Sequence, residues 1–200
     1  MRRLVLASAN QGKLAEFDAL LAGSGFEVVT QGSLGVVDIE ETGTTFVENA
    51  LLKARHAARI TRLPALADDS GLCVEQLDGA PGLYSARYAG GHGNAAANRA
   101  KLLRALDGVP TEKRGAFFIC VLVLLHHADD PAPLIAEGRW HGRILEAERG
   151  DGGFGYDPLF LPDGQTLSAA ELAPALKNRL SHRGQALARL QEQLGAQPRP

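Results

Sequence analysis

Cysteine is scarce: the 200 residues include two, Cys73 and Cys120. With no CxxC and no histidine pair at ligand spacing, a zinc site or redox motif is unsupported, and both read as buried thiols. Long hydrophobic runs are also missing. The longest, Ala116 to Leu125, is about half of what a membrane-spanning helix needs, so no membrane partner is expected. Near the start, only a few apolar residues separate Arg3 from Asn10, too few for a secretory signal, and a cytoplasmic protein is expected. Charge of one sign is lacking as well: 21 basic against 23 acidic side chains leave a net charge of -2. That balance supplies no field to draw the chain onto nucleic acid or an anionic surface. Lysine is rare, with five against 16 arginines. An ammonium kept where arginine is the default suits a compact phosphate contact.

What is present fits a globular chain. Apolar residues make up 45% and charged residues 22%, enough apolar surface to offset the ordering entropy of one core. A single domain over 1–196 is expected, with 197–200 as a C-terminal tail. Strand signals fall at Arg3–Ala7, Phe26–Val29, Leu72–Val74, Phe117–Leu125, Leu134–Trp140 and Leu159–Leu161. Helical spacing falls at Leu14–Leu21, Thr45–Ile60, Asn94–Leu106 and Ser181–Leu194, with Thr45 and Glu48 as a capping box. Early alternation and a later hairpin predict an α/β fold with a central mixed sheet flanked by helices.

Two nucleotide-binding strings match only in part. Gly12-Lys13 is followed by Leu14 where a Walker loop needs Ser or Thr. Gly150, Gly152 and Gly155 spell a dinucleotide fingerprint, but Pro158 biases Asp157 away from the helix that a pyrophosphate would need.

Four constellations remain. Ser8, Ala9, Asn10, Gln11, Gly12 and Lys13 form a small polar turn between strand and helix, where backbone N–H groups and a lysine can cradle phosphate; an ordinary capped helix start reads equally well. Asp68 and Asp69, expected at a strand end, with Glu40 and Glu41 in the loop before them, offer hard oxygens for magnesium beside a polyphosphate; a plain turn is the alternative. Gly152 to Pro158 presents Phe154 between glycines, with Gly155, Tyr156 and Asp157 following. That suits stacking on a nucleobase, unless Phe154 is packed in the core. Lys177 with Ser181, His182 and Arg183 supplies donors that can read a base edge or hold a phosphate.

In this order the motifs resemble those of the inosine/xanthosine triphosphate pyrophosphatase family. The stretches are SANQGK at Ser8–Lys13, TFVENALLKARHAA at Thr45–Ala58, ADDSGL at Ala67–Leu72, GAPGLYSARYAG at Gly79–Gly90, GGFGYDPLF at Gly152–Phe160 and SHRGQAL at Ser181–Leu187. The resemblance implies a homodimer whose subunits have two lobes around a nucleotide-binding cleft, acting on deaminated purine nucleoside triphosphates with Mg2+. It implies that Ser8 to Lys13 and Lys53 bind the phosphates. Asp69 would be proton acceptor and metal ligand with Glu40, Glu41 being the other acidic choice, and Ser70 would touch the substrate. Phe154 to Asp157, Lys177, His182 and Arg183 would surround base and sugar. Donors there would pair with the C6 carbonyl of hypoxanthine or xanthine and meet no partner on adenine. A pyrophosphatase for modified pyrimidine nucleotides and a non-catalytic nucleotide sensor are the competing readings.

Overall fold

The computed structural model describes residues 2–8, 17, 21, 25–91 and 93–196. Six strands form one mixed sheet: β1 (Arg2–Leu6), β2 (Phe26–Thr30), β3 (Ala65–Val74), β4 (Gly115–Leu125), β5 (Leu134–Ile144) and β6 (Phe160–Pro162), in the order β2-β1-β3-β4-β5-β6. β1 runs parallel to both β2 and β3, with Leu4 opposite Val28 and Leu6 opposite Leu66, whereas β6 pairs antiparallel to β5. β4 is buried along nearly its whole length, and its GAFFICVLVLL sequence lacks the alternation of a half-solvated strand. The turn after β4 is held by Asp130, whose two oxygens accept from the backbone N–H groups of His126 and Ala132.

Four helices are described over several residues: α1 (Phe46–Thr61), α2 (Ala95–Ala105), α3 (Pro174–Leu180) and α4 (His182–Ala196). The helix expected over Leu14–Leu21 falls mostly outside the described residues, as does the expected tail at 197–200; Phe17 and Leu21 are helical and buried. α3 has no counterpart among the helices expected from sequence. At seven residues it is too short to show a helical period.

The chain divides into two compact units, one of residues 1–69, 120–138 and 186–200, the other of 70–119 and 139–185. The first packs Leu4, Leu6, Phe17, Leu66, Leu122, Leu124 and Leu190 into its core. The second is built on Phe118, Trp140, Phe160, Tyr156, Leu102 and Leu106. There the Phe118 and Phe160 rings meet nearly edge to face, 4.7 Å between centroids. Cys73 and Cys120 are both free and buried.

α1 positions the chemistry of the first unit, and its start is fixed by sequence. The Thr45 side chain accepts from the N–H of Glu48, while Glu48 Oε2 accepts from the N–H of Thr45 at 2.9 Å and of Thr44 at 2.8 Å. Thr45→Ala removes this cap and costs about 1 kcal/mol, a loss of roughly 2–4 °C in Tm for a chain of this size. The Thr44 hydroxyl and N–H, and with them the Thr45 hydroxyl that Thr45→Ala removes, hold the Glu48 carboxyl below its ordinary value. A depressed carboxylate contributes stability that is fully present above its unfolded value and lost as pH falls through the folded one. The Tm difference between wild type and Thr45→Ala is therefore expected to shrink on acidification, which melts at neutral pH and below pH 4 check.

Candidate functional site

In the first unit the chemistry gathers where α1 lies beside β3. Asp68 and Asp69 do not end a strand: β3 continues unbroken through them to Val74. An apolar-run reading stops at polar residues, but a strand accepts them because successive side chains point to opposite faces. The same pleat turns the two carboxylates away from each other. Asp68 is buried and Asp69 half-buried, the latter with a side chain 12% exposed.

Lys53 joins Asp69 to the loop before α1. Its Nζ donates to Glu41 Oε1 at 2.7 Å and to Asp69 Oδ1 at 3.2 Å. Asn49, one helical turn before Lys53 and buried, accepts from the N–H of Gly43 at 2.8 Å and so ties the Glu41 loop to α1. Asp69 Oδ2 is buried, and the Asn49 side chain bears on the same carboxylate. Burial would push the Lys53 ammonium down, but Asp69 first, then Glu41 and Asp68, outweigh it and hold Lys53 above the ordinary lysine value. Burial raises the Asp69 carboxyl, with Lys53 opposing and Glu41 adding to the rise. Glu40 is exposed, so Glu41 is the member of the acidic pair that meets Lys53. Ser8 is half-buried after β1, while Ala9, Asn10, Gln11, Gly12 and Lys13 lie outside the described residues. Asn49 is a contributor that sequence reasoning missed; its one signal is the four-residue spacing from Lys53.

In the second unit the loop after β5 presents an aromatic platform. Phe154 is 59% exposed, not packed into the core. The Lys177 ammonium and the Arg183 guanidinium sit 4.7 Å and 5.8 Å from its ring centroid. Asp157 is buried beneath: its Oδ2 accepts from the N–H of Phe154 at 2.6 Å and from Lys177 Nζ at 2.5 Å. Gly153 has φ +74°, and a Cβ there would run into Asp157 Oδ2 and come within 2.9 Å of Lys177 Nζ. The turn thus needs glycine both for its conformation and for its space.

The other predicted residues of this group divide. Tyr156 belongs to the core, its hydroxyl donating to the Ser85 carbonyl at 2.9 Å, and burial pushes the phenol well above its ordinary value. His182 is buried and stacked on Phe118, centroids 4.9 Å apart at 14°. Ser181 Oγ accepts from the N–H of Gly184 at 3.1 Å, capping the start of α4. Ser70 is half-buried on β3, in the second unit. After Asp157 comes a single 3-10 turn, Asp157–Leu159, so the GxGxxG string opens no α-helix, as Pro158 predicts. Arg99 of α2, which no sequence signal marked, donates to the Gly155 carbonyl at 2.9 Å.

The two groups comprise a lysine-bridged pair of carboxylates and a cation-flanked aromatic platform, the functional parts that phosphate chemistry and base stacking require. The Ham1 family pattern matches residues 4–193. The dITP/XTP pyrophosphatase of Xanthomonas oryzae pv. oryzae is 64% identical over 98% of this chain and 98% of its own. A solved HAM1 protein from Coxiella burnetii superposes with a TM-score of 0.94 at 50% identity, covering 98% of this chain and 100% of the other. The Staphylococcus aureus Ham1 protein gives 0.89 at 38%, covering 97% and 98%. Similarity of this extent, spanning both units and running through every motif above, makes the chain a member of the Ham1 family.

Proposed function

We propose that the protein hydrolyses non-standard purine nucleoside triphosphates, ITP, dITP and XTP, to the nucleoside monophosphate and pyrophosphate. The observation that carries this reading is Asp69, a half-buried carboxylate with one oxygen on Lys53 and the other buried beside it. Such a carboxylate, lifted by burial, is suited to take a proton from water. Water oxygen attacks the α-phosphorus, its proton passes to Asp69, and the bond to the β-phosphate breaks. Lys53 and the Ser8 to Lys13 segment neutralise phosphate oxygens, and the reading makes Ser70 a substrate contact. Phe154 stacks on the base, with Gly155 and Asp157 shaping its loop. Lys177, His182, Arg183 or neighbouring backbone donate to the C6 carbonyl, and adenine, with an amino group there, leaves those donors unpaired.

The donor set fits magnesium, which is ordinarily held by one or two carboxylates while water and phosphate oxygens complete its shell. Asp69 with an acidic partner from Glu40 and Glu41 would hold it. Among the described residues there is no group of three or more His, Cys, Asp or Glu that could hold a metal. When bound, the ion screens the triphosphate charge. Among the described residues no helix is long and apolar enough to cross a membrane. The reading places a homodimer in the cytoplasm, working on free nucleotides and on neither nucleic acid nor membranes.

Pyrophosphate release from ITP, XTP and ATP, with magnesium or with excess chelator, tests the reading. Release from ITP and XTP, far slower release from ATP, and loss with chelator reversed by added magnesium are expected. Release from modified pyrimidine triphosphates alone, or from none of these, would overturn it.

A further inference from the structure

Phe154 stands between two glycines, and Gly155 has φ +61°. Such a backbone has little conformational preference of its own, so the direction of the platform must be set from outside the loop. Lys177 and Asp157 fix the Phe154 N–H on one side. On the other, the constraint comes from α2. Arg99, with a side chain 17% exposed, donates through Nη1 to the Gly155 carbonyl at 2.9 Å, and its Nε lies 2.9 Å from Glu148 Oε1. One guanidinium therefore ties the start of the loop segment, at Glu148, to its middle.

Its neighbour Asn98 acts in parallel. Asn98 is buried; its Oδ1 accepts from the N–H of Ala89 at 2.7 Å, and its Nδ2 donates to the carbonyls of Ser85 and Ala86 at 3.4 and 3.3 Å. Ser85 O is also the acceptor of the Tyr156 hydroxyl. Two consecutive residues of α2 thus hold both the turn under Tyr156 and the peptide next to it. In a trans peptide the C=O and N–H point in opposite directions. By holding the Gly155 carbonyl, Arg99 also fixes where the Tyr156 N–H points, two residues from the exposed ring.

We propose that Arg99 is a positioning residue of the base platform: it sets the Gly155–Tyr156 peptide and with it the orientation of Phe154. Base contacts then depend on Arg99, whereas contacts to phosphate do not. This rests on reading residues 152–157 as the purine site. Among the described residues no other side chain is seen to hold the Gly155 carbonyl, and a lysine at position 99 could reach Gly155 or Glu148 but not both.

The test compares wild type, Arg99→Leu and Arg99→Lys in three measurements: KM and kcat with ITP, inhibition by inorganic tripolyphosphate, and hydrogen exchange of the 148–157 segment. Arg99→Leu is expected to raise KM about tenfold, the loss of one charge-assisted hydrogen bond. Its kcat should stay within about twofold, tripolyphosphate should inhibit as in wild type, and exchange in the segment should rise. Arg99→Lys should recover part of the KM. An unchanged KM and exchange in Arg99→Leu would overturn the proposal, and so would weakening of tripolyphosphate in step with ITP, since a general loss of structure does that. If wild type itself releases no pyrophosphate from ITP, the activity reading fails, while exchange still decides whether Arg99 holds the loop.

Discussion

Asp69→Asn is expected to lower pyrophosphate release from ITP by about 10²–10⁴-fold, the contribution ordinarily made by a positioned acid or base, while leaving the fold intact. Asparagine has the shape of aspartate, cannot take up the proton and is a poor partner for a divalent cation. The stability side has a definite sign. Burial raises the Asp69 carboxyl above its ordinary value, so at neutral pH its ionisation costs the folded state free energy, and a neutral amide removes that cost. Lys53 loses one partner but keeps Glu41 at 2.7 Å. A Tm equal to or above that of wild type, together with a collapsed kcat, is the expected pair of results. A rate near wild type would show that another group takes the proton, and a Tm fall of many degrees would show that Asp69 is structural.

Much of the frame that brings Asp69 and Lys53 together is legible in the sequence, for physical reasons. A capping box consists of two local hydrogen bonds between residues three apart, so Thr45 and Glu48 announce α1 without help from tertiary structure. The long apolar run of β4 announces a strand covered on both faces. Legibility fails where long-range packing decides. Asp68 and Asp69 interrupt an apolar run, but the pleat accepts them because each uses a different face. Phe154 and Tyr156 are aromatic and two residues apart in one motif, yet one ring is exposed and the other lies in the core. The difference is made by Ser85, some 70 positions away, which accepts the Tyr156 hydroxyl. Arg99 and Asn98 sit on an Ala-rich helix with no motif to mark them, and only the fold shows that they hold two loops.

Lys177 shows the same limit and gives the second large effect. Its sequence context reads as a donor for the base, but its Nζ lies 2.5 Å from Asp157 Oδ2, with side chains 14% and 5% exposed. Removing one partner of a pair this buried leaves an uncompensated charge, so Lys177→Met is expected to cost about 3–5 kcal/mol, or roughly 10 °C in Tm for a chain of this size. Asp157→Asn should also destabilise, by leaving the ammonium without its counter-charge, although the amide oxygen still accepts from the Phe154 N–H. The double variant carries no orphaned charge, so its loss should fall short of the sum of the two single losses by a coupling energy of about 1–3 kcal/mol. Thermal melts of the four proteins measure it; additive losses would show that the pair is not coupled. The KM for ITP then separates two roles for Lys177. If it only neutralises Asp157, the double variant should bind ITP nearly as wild type does. If the ammonium 4.7 Å from the Phe154 ring centroid also meets the base, the double variant should be stable and still bind poorly.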